Sequence, residues 1–197
     1  MKILVAVPTF ENISPDTFKS IYGLTRPDDA IVMFDYVKGY DCAHARNEIA
    51  QEAVDYGFDF VLMVDSDIIL PSDTLVRMLT DPVPICLGCY PRKNTVNGTV
   101  ELFKLGQDDF VETFTSDEVD MLTDRFKVKG GGFGCAFMST GLFQYLGRPW
   151  FQYVEYQNGM VLSEDNYMCS MLAKLGVDIY ADPNIRCGHI GRIRQWR

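Results

Sequence analysis

A chain of 197 residues can bury one core of ordinary size, and its 47% hydrophobic and 23% charged residues exclude a disordered or fibrous protein. With 27 acidic and 18 basic residues the net charge is −9, which argues against a general nucleic-acid binder, because phosphate contacts need clustered Lys and Arg. This charge still permits a local basic pocket for a phosphorylated small molecule.

Apolar runs alternate with helical patterns along the first half of the chain. Strands are predicted over 2–7, 30–34, 58–64 and 84–90. Helices are predicted after Ser14-Pro15, over 42–56, where Gly57 ends the helix, and after Ser72. The inner faces of these helices are predicted to be Phe18, Ile21 and Tyr22, then Ala45, Ile49, Ala53 and Tyr56, then Leu75, Val76 and Leu79.

The middle of the chain, 93–129, is more polar and predicts antiparallel hairpins or a flap, with short strands over 99–105 and 110–114. A glycine cluster, KGGGFGCAFMST, then leads into a strand. Ser163 begins the last clear helix, which has an apolar stripe, and 177–181 form a final strand. The whole chain, 1–197, is therefore predicted to be a single α/β domain with a Rossmann-like, mixed but mostly parallel sheet flanked by helices.

Two features of the sequence bear on its location. The opening MKILVAVPTFEN has an apolar run that is too short for a secretory signal, and no stretch reaches the length of a membrane span. We therefore expect a cytoplasmic protein without a transmembrane segment.

The six cysteines lie among apolar neighbours, and we expect buried structural thiols, with zinc or redox use of the Cys86/Cys89 pair as the alternative.

An acidic pair lies at the end of a strong predicted strand, in VLMVDSDIIL. Ligands of parallel sheets bind beyond the carboxyl ends of the strands, which is where Asp65 and Asp67 fall, with Ser66 between them. Strand alternation would point both acids to the same side, and two neighbouring carboxylates favour a divalent cation. The alternative is an exposed strand end with two solvated acids.

Histidine is rare in this chain, which has only two, and His189 follows the last predicted strand in CGHIG. An imidazole combined with carboxylate oxygens suits Mn²⁺ better than Mg²⁺, which takes oxygen almost exclusively. A surface or core histidine is the alternative reading.

Three further segments carry candidate residues. In SEDN, Glu164 and Asp165 are either helix-capping acids or a base for an incoming hydroxyl. In PTFEN, Pro8 and Thr9 end the first strand, where a nucleotide base or ribose would lie. In DCAHARN, Arg46 and Asn47 could contact a base or phosphate, with helical salt bridging as the alternative for Arg46.

The order of these features resembles the GT-A class of nucleotide-sugar glycosyltransferases, in particular family-2-like members that contain a D-x-D motif. The features are PTF after the first strand, A-R-N on a helix, D-S-D after a strand, GGGFGCAF, S-E-D-N and a late histidine. The resemblance extends from about residue 1 to residue 190.

This resemblance implies a metal-dependent hexosyltransferase that moves a sugar from a nucleotide-diphosphate donor, a UDP-sugar, to a hydroxyl acceptor with inversion. Residues 1–92 would bind the nucleotide, and 93–197 would carry the acceptor and catalytic part. Mn²⁺, or Mg²⁺, would be the cofactor. No nucleic acid is expected as a partner.

The resemblance also implies a role for each candidate residue. Asp67 and His189 would be metal ligands, Asp65 would assist the metal or hold the ribose, and Asp165, with Glu164 beside it, would be the catalytic base. The remaining candidates would line the donor site: Pro8, Thr9, Glu11, Asp35, Arg46, Ser66, Gly131 and Gly132, with Arg192 and Arg194 either closing over the diphosphate or forming a solvated tail.

Other classes of protein share parts of this pattern. A haloacid-dehalogenase-type phosphatase also uses D-x-D, but on its first strand, and a nucleotidyltransferase expects a Gly- and Arg-rich loop where PTFENISPD stands. A sugar-nucleotide or glycan-binding module without turnover remains open. The short chain leaves room for only a minimal acceptor region, and RIRQWR does not spell the signature of processive polysaccharide synthases.

Overall fold

The structure is a computed structural model that describes residues 1–93, 98–106 and 111–191. It contains fourteen strands and six helices in this part of the chain. The strands are β1 Lys2–Thr9, β2 Ile31–Lys38, β3 Phe60–Val64, β4 Ile68–Ile69, β5 Ile85–Cys89, β6 Thr99–Leu105, β7 Val111–Thr115, β8 Phe126–Val128, β9 Gly130–Gly131, β10 Cys135–Ser139, β11 Val154–Glu155, β12 Val161–Leu162, β13 Ile179–Arg186 and β14 Gly188–His189. The helices are α1 Pro15–Tyr22, α2 Cys42–Asp55, α3 Thr74–Leu79, α4 Ser116–Asp120, α5 Gly141–Tyr145 and α6 Glu164–Lys174.

Seven strands form the central sheet, in the order β2-β1-β3-β10-β5-β13-β8. Five of them run in one direction, while β10 and β8 are antiparallel to their neighbours. The predicted α/β class with a mixed, mostly parallel sheet is therefore confirmed. The predicted hairpin in the middle of the chain is also present, since β6 pairs antiparallel with β7, although residue 110 lies outside the described residues.

Both faces of the sheet are covered, which explains the unbroken apolar runs of its central strands. In β1, Leu4 and Ala6 join a core that includes residues of α2, α5 and α6. The alternate residues Ile3, Val5 and Val7 join a second core with residues of α1 and α3. A strand whose successive side chains enter two different cores needs apolar residues at every position.

Helix α2 carries two of the candidate residues, Arg46 and Asn47. It begins where the Asp41 side chain accepts a hydrogen bond from the His44 amide at 3.0 Å. It ends before Gly57, which adopts a left-handed conformation at φ 62°. The side chain of Asn47 forms hydrogen bonds with the backbone of Trp150 and Phe151. Because these bonds use its amide group, the predicted contact of Asn47 with a base or phosphate is not supported.

Some predicted inner faces are wrong. In α1 the buried residues are Thr17 and Ile21, while Phe18 and Tyr22 are exposed. Phe18 packs edge-on against Phe34 of β2, with ring centroids 5.8 Å apart, because α1 lies beside the sheet edge. The other errors are Tyr56, which is exposed just beyond α2, and Val76, which is exposed in α3, where Met78 is buried instead.

No helix among residues 1–93, 98–106 and 111–191 combines the length and the apolar character needed to cross a membrane.

The six cysteines are all free thiols, five of them buried, with Cys42 partly exposed. Burial raises the pKa of Cys86 and of Cys169 to about 12. Cys86 and Cys169 are therefore structural in character, and the predicted burial is confirmed for five of the six cysteines.

Candidate active site

The acidic pair lies at the carboxyl end of β3, in a turn that follows the strand. The Ile68 amide donates to the Asp65 carbonyl at 3.0 Å, which closes the turn before β4 begins. Because Asp65 and Asp67 belong to a turn, strand alternation does not set their directions, and that part of the prediction is wrong. The two carboxylates instead have different partners, Asp65 with Arg46 and Asp67 with His189 and Lys93.

A two-residue ladder brings His189 to Asp67. Strand β14 pairs antiparallel with β4, so that His189 lies opposite Ile68 and Gly188 opposite Ile69. The Ile190 amide adds a hydrogen bond of 2.9 Å to the Asp67 carbonyl. As a result, His189 Nε2 lies 3.5 Å from Asp67 Oδ2, and the predicted pairing of these two residues is present in the fold.

The hydrogen bond of the His189 ring determines what its second nitrogen can do. Nδ1 is 2.8 Å from the Pro91 carbonyl oxygen, and a carbonyl can only accept, so Nδ1 carries a proton. In the protonated ring Nε2 donates to the Asp67 carboxylate, whereas in the neutral ring the same nitrogen presents a lone pair to this carboxylate. A separation of 3.5 Å leaves room for a cation about 2.0–2.3 Å from each atom.

The described residues supply few protein ligands for a cation. Within 1–93, 98–106 and 111–191, no three or more His, Cys, Asp or Glu side chains are grouped to hold a metal ion. The donor set Asp67 and His189 fits a cation that takes one or two protein ligands and completes its shell with phosphate oxygens and water. This is how Mg²⁺ and related ions bind together with substrate phosphates.

The surroundings of Asp67 favour the ionised form of its carboxyl group. Burial opposes ionisation, but hydrogen bonds from His189 and from the Lys93 ammonium outweigh burial and lower the pKa of Asp67 to about 2. The side chain of Asp67 is 29% exposed, so one side of the carboxylate faces the solvent. Asp67 is thus a charged, partly exposed carboxylate at neutral pH.

Asp65 belongs to a buried ionic cluster on the other side of the turn. Arg46 Nη2 donates to Asp65 Oδ1 at 2.7 Å, and Arg46 Nη1 lies 3.7 Å from Glu164 Oε1. Arg46 is 1% exposed and its guanidinium stands over the ring of Phe133, 5.6 Å from the centroid. Arg46 therefore connects the D-S-D turn to the first residue of α6.

Glu164 is enclosed within the protein. It is 6% exposed, and besides Arg46 it forms hydrogen bonds with Cys42 and Tyr153, which raise the pKa of both groups in addition to the larger effect of burial. A carboxylate held in this way cannot meet an incoming hydroxyl, so of the two predicted catalytic acids Glu164 is a structural member of the cluster.

Only one oxygen of the Asp165 carboxylate is hydrogen-bonded within the described part of the chain. Its Oδ1 accepts hydrogen bonds from the Ser163 hydroxyl and, at 2.7 Å, from the Asn166 amide. None of the hydrogen bonds between described residues uses Oδ2. The side chain is partly exposed at the first turn of α6, and an oriented carboxylate with one unused oxygen is suited to accept a proton.

The glycine cluster lets the backbone approach the site closely. The Gly134 carbonyl accepts from the Asp65 amide at 3.0 Å, and the Gly134 amide donates to the Tyr90 hydroxyl at 3.1 Å. A Cβ on Gly134 would lie 2.9 Å from the Tyr90 ring and 3.1 Å from Asp65 Oδ2, and one on Gly131 would lie 2.7 Å from the Glu101 carbonyl. Gly131 and Gly132 thus pack against β5 and β6, which accounts for the absence of side chains there.

The remaining predicted donor-site residues lie at different places. Pro8 and Thr9 end β1 and are buried, with the Thr9 hydroxyl donating to the Asn12 carbonyl at 2.9 Å. Glu11 is exposed in the loop that follows. The Ser66 carbonyl accepts from the Ser14 amide at 2.9 Å, which joins the D-S-D turn to the start of α1.

Asp35 does not belong to this group. It lies within β2, opposite Ala6 of β1, and shares a hydrogen bond with Glu52 near the carboxyl end of α2. Asp35 therefore faces a helix rather than the carboxyl edge of the sheet, and its predicted place in a base pocket is not supported. Arg192 and Arg194 lie outside the described residues.

Three groups at the site were not predicted from the sequence, namely Tyr90, Lys93 and the Pro91 carbonyl, although all three follow β5 directly in YPRK. Their position in the sequence could have identified them as site residues, because they follow the carboxyl end of a sheet strand, as Asp65 does. The same rule that selected the acidic pair would have selected this segment.

The comparisons with known proteins concern the fold. No family model matches the chain, and no curated protein is similar to it in sequence. Among solved structures, A197 from STIV is similar over 98% of this chain and 87% of its own, with a TM-score of 0.67 and 16% identity. GalNAc-T7, solved with UDP, GalNAc and Mn²⁺, is similar over 98% of this chain and 45% of its own, with a TM-score of 0.60 and 14% identity.

These similarities define the class of fold. The chain has a GT-A-like Rossmann fold, shared with a glycosyltransferase, as the order of its motifs predicted. It spans somewhat less than half the length of GalNAc-T7.

Proposed function

We propose that this protein is a metal-dependent glycosyltransferase that transfers a sugar from a UDP-sugar to a hydroxyl acceptor with inversion. In this proposal the chain acts as one domain, with nucleotide binding in 1–92 and the acceptor and catalytic part in 93–197. The observation that carries the proposal is the pair Asp67 Oδ2 and His189 Nε2, 3.5 Å apart at the carboxyl edge of the sheet. The GT-A-like fold supports it.

Asp67 and His189 would hold the divalent cation, and the Pro91 carbonyl would keep the imidazole in the tautomer that can bind it. A bound cation supplies Lewis-acid stabilisation of the charge that develops on the departing diphosphate. Because one ligand is an imidazole, Mn²⁺ is the expected ion, with Mg²⁺ as the weaker substitute. Asp65, fixed by Arg46, would hold the ribose or assist the cation.

Asp165 would accept the proton of the acceptor hydroxyl. Its Oδ1 is oriented by Ser163 and the Asn166 amide, which leaves Oδ2 for the acceptor. In this proposal the hydroxyl oxygen attacks the anomeric carbon as Asp165 takes its proton, and the bond from that carbon to the diphosphate breaks on the opposite face. Pro8 and Thr9 at the end of β1 and Ser66 in the D-S-D turn would line the base and ribose side.

The metal assignment predicts that Asp67→Ala and His189→Ala each weaken Mn²⁺-dependent binding of UDP by roughly 100-fold, because each removes one of two protein ligands. Isothermal titration of UDP with and without Mn²⁺ measures this effect. Asp178→Ala is the matched control, since Asp178 is an exposed acid paired with Lys127 beside the start of β13. Unchanged Mn²⁺-dependent UDP binding in both site variants would refute the metal site.

The catalytic assignment predicts that Asp165→Asn retains UDP binding but lowers transfer by about 10²–10⁴-fold, the usual contribution of a general base. Asparagine keeps the size of the side chain and an oxygen that can accept from Ser163 and the Asn166 amide, so the start of α6 is preserved. The measurement is release of UDP from a panel of UDP-sugars with hydroxyl acceptors. Wild-type rates in Asp165→Asn would exclude Asp165 as the base.

A further inference from the structure

Lys93 forms an ion pair with Asp67, the carboxylate that is proposed to bind the metal. The ammonium of Lys93 is in direct contact with Asp67 Oδ2, the same oxygen that faces His189 Nε2. The net charge of the protein is −9, so a basic residue at an acidic ligand is a local feature and does not reflect the overall composition.

The backbone beside Lys93 is anchored, whereas its side chain is held by the contact with Asp67 and is half exposed. The Arg92 amide donates to the Thr99 carbonyl at 2.9 Å, and Pro91 forms a bridge to Val100. The Lys93 side chain is 51% exposed. Since a lysine ammonium ends a stem of four methylene groups with free rotation, it can leave Asp67 without a change in the backbone.

The ammonium and a divalent cation cannot both use Asp67 Oδ2. Each would contact the same oxygen, and two positive charges at contact distance repel strongly in a partly buried site. Binding of a metal at Asp67 therefore requires that Lys93 moves away. The ammonium then needs a new anionic partner, and a diphosphate bound to the same cation is an anion within its reach.

We propose that Lys93 is a built-in competitor of the metal, which makes the binding of Mn²⁺ and of a nucleoside diphosphate mutually dependent. This inference rests on the proposed function, because it assumes that the metal binds Asp67. Without nucleotide, Lys93 neutralises Asp67 and keeps the affinity for Mn²⁺ low. With UDP present, the displaced ammonium pairs with the diphosphate, so that the metal and the nucleotide are retained together.

The test is a thermodynamic cycle on the intact protein, measured by isothermal titration of Mn²⁺ alone, of UDP alone and of each in the presence of the other. In Lys93→Met we expect Mn²⁺ alone to bind roughly tenfold more tightly than in wild type, about 1.4 kcal/mol. We also expect UDP to tighten Mn²⁺ binding by a factor that is roughly tenfold smaller in Lys93→Met than in wild type, because the binding of the two ligands is reciprocally linked. Lys93→Arg keeps the charge and should restore low affinity for Mn²⁺ alone.

Lys127→Met is the matched control, because it removes a lysine paired with an exposed acid, Asp178, and changes the net charge equally. It should bind Mn²⁺ as wild type does. Equal or weaker Mn²⁺ affinity in Lys93→Met overturns the competition and leaves the metal site intact. No Mn²⁺ binding in any of these proteins, with or without UDP, overturns the proposed metal site and the competition together. Melting temperatures of all variants confirm that they are folded.

Discussion

Arg46 is the residue on which the inner part of the site depends. Its guanidinium is buried between Asp65 and Glu164, and its Nε and Nη1 atoms have no hydrogen-bond partner among the described residues. Burial opposes its charge, but the neighbouring carboxylates, above all Asp65, raise the pKa of Arg46, which therefore remains protonated. A buried ion pair of this kind adds little net stability, yet the loss of one member leaves the others uncompensated.

We therefore predict that Arg46→Met destabilises the fold by about 3 kcal/mol, a value at the low end for a broken buried pair because Asp65 is partly exposed. Denaturant unfolding measures the loss. Arg77→Met, which breaks the exposed pair of Arg77 with Asp73, is the control and should cost less than about 1 kcal/mol. Equal losses in the two variants would show that Arg46 has no special structural role.

Two acidic side chains, Asp35 and Glu52, meet where α2 packs on β2. Burial and, after it, the charge and hydrogen bond of Asp35 raise the pKa of Glu52 to about 7. A carboxyl group whose pKa is raised by folding stabilises the folded state below its unfolded pKa. That contribution is lost as the pH rises through the folded pKa, so the window here extends from about pH 4.5 to about pH 7.

This pair predicts that the free energy of unfolding declines between about pH 4.5 and 7, and that Glu52→Gln flattens the decline. Asp35→Asn should flatten the decline in part, because it removes the partner charge but leaves the burial of Glu52, which is the larger cause of the raised pKa. The double variant should gain little over Glu52→Gln alone, since the repulsion needs both charges. Unfolding curves at pH 5 and pH 8 measure this, and strictly additive effects would contradict the pairing.

The parts of the fold that depend on local periodicity were predicted from the sequence. Strands covered on both faces appear as unbroken apolar runs, so β1, β3, β5 and the central helices could be located without a structure. Position at the carboxyl end of a strand likewise selected Asp65 and Asp67. The pairing of Asp67 with His189 was inferred from ligand chemistry and from the resemblance of the motif order to GT-A glycosyltransferases.

The rest of the site depends on tertiary contacts that no periodicity in the sequence indicates. A ladder of two residues, such as β4 with β14, is too short to show alternation. The bond of Arg46 to Asp65 is set by how α2 packs on the sheet, which no spacing in A-R-N reveals. Asp35 was misplaced for the same reason, because only the structure shows which strand residues face α2.

The pairing of β4 with β14 also has a consequence for the newly made chain. Asp67 leaves the ribosome long before His189 has been translated, by roughly ten seconds at typical rates of synthesis. Nascent polypeptide can therefore present the acid but cannot assemble the proposed pair of ligands. Acquisition of Mn²⁺ would then mark the pairing of β4 with β14, and an incomplete chain would not sequester metal during its synthesis.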